Sequence, residues 1–128
     1  MKEQKIKVLK VEPGKPPEVV VLKNELTALQ DAVSIGADYR GLIEIVGLDS
    51  NTCILCNEEG KLIGLKPNRR LGQDILCGVF YVTGQDDEGN LCSLDDAALE
   101  RYIKMFAIPE LFSEGEVDKT IITRFFLM

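Results

Sequence analysis

The run 75–83, ILCGVFYVT, constrains this chain more than any other segment, because it is apolar at nearly every position and is interrupted only by Gly78. Such a run reads as a central strand buried on both faces, so the sheet that contains it needs cover on two sides. The flanking sequence supplies further elements. Lys5-Ile6-Lys7-Val8 alternates and 18–22 is rich in valine, which predicts two strands joined by the turn EPGKPP at 12–17, as a hairpin or wide meander. Asn24 is placed to cap a helix that carries Leu26, Leu29 and Val33 on one face, with Gly36 just past its end. Ile43 and Ile45 share a strand face across from Glu44, Asp49-Ser50-Asn51 makes a turn, and 52–56 is the next strand. Asn57-Glu58-Glu59-Gly60 then reverses the chain through a positive φ at Gly60, and 61–65 is read as the returning strand. A loop containing Pro67 and Asn68 leads to Asp74. After the acidic turn GQDDEGN at 84–90, Ser93 with Asp96 resembles a capping arrangement for a helix bearing Leu94, Ala98, Tyr102 and Phe106. The C-terminal TIITRFFLM has strand character and is expected to pair within the chain or across a homodimer. The fold class expected is α+β: a mainly antiparallel sheet with two amphipathic helices and a C-terminal strand.

At 128 residues with 45% hydrophobic and 28% charged, the chain fits one compact domain. No segment approaches the roughly 18 apolar residues of a membrane helix and the N-terminus lacks the apolar stretch of a secretory signal, so a cytoplasmic setting is expected. Cys53, Cys56, Cys77 and Cys92 lie in apolar surroundings and are expected as reduced, core-type thiols. A four-thiolate zinc site does not suit them, because residues three apart on a strand point to opposite faces. No metal or other cofactor is therefore expected. Histidine is absent, which removes the commonest general base and partner of a nucleophile. Gly60-Lys61 is followed by Leu62, so no phosphate-binding loop is present, and the reading leans away from catalysis.

The net charge of −6 is uneven, since residues 85–118 hold ten acidic and two basic side chains. That balance disfavours nucleic acid as a direct partner and makes Asp86, Asp87, Glu88, Asp95 and Asp96 a candidate interface for a basic protein. The second candidate lies in CILCNEEGKLIGLKPNRR at 53–70, where polar residues of several kinds gather beside a turn. If its loop folds back, Asn57, Glu58, Glu59, Lys61, Asn68, Arg69 and Arg70 form a polar patch whose arginines suit a carboxylate or phosphate. The competing expectation is an internal ion pair from Glu58 or Glu59 to Arg69 or Arg70 that only pins the loop.

The segments VEPGKPP (11–17), LTALQDAV (26–33), LIEIV (42–46), NEEGKLIGL (57–65), NRR (68–70) and DILCGVFYVTGQDDEG (74–89) together resemble the family called domain of unknown function 3846, over about residues 5–106. The chain departs from it at SIGADYRG, 34–41, and in the tail from Ala107, so that 1–106 is read as the family-like domain and 107–128 as an extension packing on it. The resemblance implies a small bacterial protein of phages, plasmids or conjugative elements, and it implies no biochemical activity. The expectations are accordingly a non-catalytic binding or regulatory protein, with inhibition of a host defence nuclease as a concrete form. The alternatives are a domain that sequesters or senses an anionic metabolite, or a small hydrolase lacking histidine.

Overall fold

The structure is a computed structural model that describes residues 3–119. It is an α+β fold with strands β1 (Lys5–Val11), β2 (Glu18–Lys23), β3 (Ile43–Asp49), β4 (Thr52–Asn57), β5 (Pro67–Leu71), β6 (Asp74–Cys77), β7 (Phe80–Gln85) and β8 (Leu91–Cys92). The helices are α1 (Leu26–Ala32) and α2 (Asp96–Met105). The main sheet runs β2-β1-β7-β4-β3, and β8 adds to β7 beyond the end of β1. Its pairings are antiparallel.

The central position of β7 follows from its composition, since Phe80 and Val82 bury on one face while Tyr81 packs on the other. On the first face, Leu9, Val11, Ile54 and Val82 meet Leu94, Leu99, Tyr102 and Phe106 of the α2 region. On the second, Ile6, Val8, Cys53 and Leu55 meet Leu29 and Val33 of the α1 region. Cys53 and Cys56 thus serve opposite cores, as residues three apart on a strand must.

The expected strand over 75–83 is divided at Gly78, which has φ 85° and donates its N–H to Lys66 O at 2.7 Å. A Cβ at Gly78 would lie 2.7 Å from Leu65 Cδ1, so this break in the strand needs glycine twice over. Upstream of it, β6 pairs with β5 in a separate two-stranded ribbon.

The returning strand expected at 61–65 is not formed. Both edges of β4 are occupied, by β3 and β7, which leaves no place beside it. Residues 58–64 instead wind through turns closed by Ile63 N to Glu59 O and Leu65 N to Gly60 O. Gly60 has no positive φ; its lack of a side chain admits Cys77 O, which would lie 2.7 Å from a Cβ there.

Two expected helix caps are also reassigned. Asn24 lies outside α1, whose N-cap is Glu25, and its amide donates to Glu3 O and Leu91 O. α2 is capped by Asp95, which accepts from Ala98 N at 2.7 Å, while the Ser93 hydroxyl accepts from Lys7 N and donates to Glu3. In both places a distant strand competes for the polar group and wins. The expected C-terminal strand, TIITRFFLM, lies outside the described residues.

Candidate functional site

The residues of the 57–70 candidate go to different neighbours. Asn57 ends β4 in a buried position, and its Oδ1 accepts from Glu59 N at 2.9 Å. That bond fixes the orientation of the amide, and its Nδ2 is left buried with no partner among the described residues. Gly41 covers it so closely that a Cβ there would sit 2.5 Å from Nδ2. The Glu59 carboxylate accepts from the Tyr39 hydroxyl at 2.9 Å, the Glu58 N–H goes to Leu42 O, and Lys61 pairs with Asp74.

Asn68 and Arg69 are fully buried. The register of β5 against β6 shifts between Pro67 and Arg69, and this bulge turns two successive side chains inward where a regular strand would alternate them. Arg69 makes five hydrogen bonds: two to Phe106 O, and one each to Asn68 O, Asn68 Oδ1 and Lys15 O. The Asn68 amide in turn donates to Val11 O and Gly78 O, both at 2.8 Å. Burial pushes the Arg69 guanidinium below its usual range, with the Glu110 carboxylate acting in the opposite direction. This cluster joins the end of α2, the β1–β2 turn and the β5–β6 ribbon.

Arg70 points outward, pairs with Glu110 at 3.0 Å and Glu116 at 2.6 Å, and stacks over Phe112 at 4.5 Å. Residues 110–116 are thereby tied to β5. The expectation of one surface patch is corrected accordingly, because Asn68 and Arg69 are interior and Arg70 is engaged by the 110–116 segment. The expected ion pairs from Glu58 or Glu59 to these arginines are not formed either; the acidic partners come from 107–119, which a reading of local sequence does not reach.

The acidic candidates stay outside. Asp86, Asp87 and Glu88 are exposed on the β7–β8 turn and make no ion pair among the described residues. Asp86 Oδ1 accepts the N–H groups of Asn90 and Glu88, which hold its carboxyl below the usual range. Asp95 is spent on the α2 cap, and Asp96 reaches Lys7 at 3.9 Å. The Cys92 thiol is pushed up by burial and then by the Glu3 and Asp86 carboxylates.

A third feature carries no sequence motif. Beside α1 an open groove of about 760 Å³ has Leu29, Ile43 and Leu55 in its floor, and Leu26, Leu42 and Ile45 in its rim. The rim residues are 66%, 61% and 53% exposed. The groove follows from dimensions: seven helical residues span about 10 Å, whereas five strands span about 19 Å. α1 lies toward β2, so the β3 side is left uncovered. Glu44 and Glu58 are its lining charges, and Gly89 and Asn90 bring the acidic turn to one end. Leu26, expected on the buried face, sits at the first turn of a helix too short to cover it. A smaller cleft of about 400 Å³ near Pro13, Gly36 and Gly78 has Lys15 and Lys66 in its wall together with Glu12.

Fold and surface together describe an α+β protein locked by an internal arginine and bearing an acidic end beside an apolar groove. Residues 6–107 match Domain of unknown function (DUF3846), and the chain belongs to that family. No curated protein and no solved structure matches it.

Proposed function

We propose that this chain is a non-catalytic binding protein that engages a basic protein partner through its acidic end. One observation carries the reading: Asp86, Asp87 and Glu88 project from an ordered turn and make no ion pair among the described residues, while the basic groups Lys61, Arg69 and Arg70 are consumed internally. An exposed carboxylate surface of this kind steers a basic partner and sets salt dependence. The chemistry available argues in the same direction. There is no histidine, and burial pushes the Cys53 and Cys77 thiols up to about 11, far from the range of a nucleophilic thiolate. In its concrete form, the protein belongs to a phage, plasmid or conjugative element and occludes the basic channel of a host defence nuclease.

The test combines Asp86→Asn, Asp87→Lys and Glu88→Lys with Asp95→Ser and Asp96→Lys; the serine hydroxyl can still cap α2, so the charge is removed without the cap. Capture from host lysate at low and high salt, followed by nuclease assays with the captured protein, reads the effect. A partner lost at high salt and lost with the variant is expected; a partner held equally by both proteins refutes the reading.

A further inference from the structure

We propose that the α1–β3 groove is the seat of an extended, basic, alternately apolar peptide segment, which adds as a strand to the outer edge of β3. This rests on the acidic-end reading and names the partner segment for it. The backbone supplies the first argument. Glu58 N donates to Leu42 O at 2.9 Å, so Leu42 is a hydrogen-bonded position opposite Glu58, in register with the pairs Ile43↔Asn57 and Glu44↔Cys56. In an antiparallel ladder such positions alternate, so Ile43 and Ile45 turn their own N–H and C=O groups away from β4. β3 is the last strand of the sheet, and among the described residues no backbone group pairs with that outer edge.

The side chains supply the second argument. Ile43 and Ile45 line the groove together with Leu26 and Leu42, so a strand of about five residues beside β3 lays alternate side chains against an apolar surface already in place. Charge complementarity selects the occupant. The charged residues that line the groove are Glu44 and Glu58, no lysine or arginine among the described residues lines it, and the Asp86, Asp87 and Glu88 turn stands at the end marked by Gly89 and Asn90. Glu44 shares the opposite face of β3 with its partner Cys56, so a lysine or arginine on the other face of the incoming strand passes beside it, and one at the strand's end reaches the acidic turn. The opposite edge, β2, is less suited: Pro16 and Pro17 precede it, and a charged residue stands at each of its ends, Glu18 and Lys23.

The experiment titrates the whole protein with a fluorescein-labelled ten-residue peptide of alternating lysine and valine, and with its glutamate–valine twin, following anisotropy and backbone amide signals. The expected result is saturable binding of the basic peptide alone, with shifts and slowed hydrogen exchange at the Ile43 and Ile45 amides. Leu42→Lys, which sets a positive charge on an exposed apolar rim, and Ile45→Pro, which removes an outward N–H without touching the β4 ladder, should each weaken it at least ten-fold while the native spectrum is kept. No saturable binding, or equal binding of the acidic twin, overturns the proposal. Shifts confined to 86–90 overturn the groove and leave the acidic-end reading standing. Sedimentation that shows a dimer dissolved by Ile45→Pro gives the edge to a second copy and overturns the peptide as occupant.

Discussion

Arg69 offers the sharpest test of how this fold is held. Replacing it by methionine keeps most of the buried volume, so the loss reports on the acceptors left behind and little on a cavity. Four acceptors lose a donor: Phe106 O, Asn68 O, Asn68 Oδ1 and Lys15 O. Lys15 lies in an exposed stretch of turn, where water can replace the guanidinium. The other three are interior, and an unsatisfied buried acceptor costs about 1–3 kcal/mol. Relaxation recovers part of that, and removal of the guanidinium's own desolvation recovers more, which leaves an expected loss of about 3–5 kcal/mol. With a urea dependence of about 2 kcal/mol per molar, the midpoint falls by about 2 M, read by circular dichroism. Arg69→Lys should lose about 2 kcal/mol, because one ammonium cannot reach from Phe106 O to Lys15 O. A loss below about 1 kcal/mol for Arg69→Met would refute the view that this cluster joins helix, turn and ribbon.

Three further outcomes are expected. Gly41→Ala should cost about 1–3 kcal/mol by driving a Cβ into Asn57 Nδ2, and the same substitution should cost less on an Asn57→Ala background; equal costs in a urea double-mutant cycle would remove the contact from the account. Burial that pushes Cys53 and Cys77 up to about 11 should keep both unlabelled by a disulfide reagent at pH 8 in the folded protein, with all four thiols reacting in denaturant. Glu116 is held at about 2, against an ordinary 4.5, by the Ser113 hydroxyl and N–H and then by Arg70. Its folded value is depressed, so the contribution is complete above pH 4.5 and is lost as pH falls toward 2; the Ser113 amide signal should titrate near 2, and a midpoint at 4.5 would show that the segment is undocked.

The elements whose residues answer to local rules were legible in the sequence. β1, β2, β3 and β4 show alternation or apolar runs bounded by turn residues, and β7 shows burial on two faces, so their places along the chain and the mainly antiparallel class followed. What escaped was decided by distant competition. Ser93 and Asp95 are both good caps two residues apart, and Ser93 is drawn off by Lys7 and Glu3. Asn-Arg-Arg at 68–70 reads as an exposed basic run, since nothing local announces a bulge that turns Asn68 and Arg69 inward. The groove leaves no motif because it is a shortfall of cover, visible only when the length of α1 is set against the width of the sheet.

The two sides of the sheet therefore carry different burdens. On the α2 side, Arg69 ties Phe106 to the β1–β2 turn, and its neighbour Arg70 ties down 110–116 from outside. Adjacent arginines, one turned inward and one outward just past the bulge, thus lock that side from within and without. The α1 side has a seven-residue helix whose own arginine contact, Arg40 with Asp31, is exposed, and its groove rim is already more than half exposed. Replacing Leu26, Leu42 or Ile45 by a polar residue removes little area from contact, so each should cost under about 1 kcal/mol of stability. Substitution on the α2 side trades directly against the core. A surface whose residues change without loss of fold is one on which partner specificity can vary, and here that surface adjoins the acidic turn.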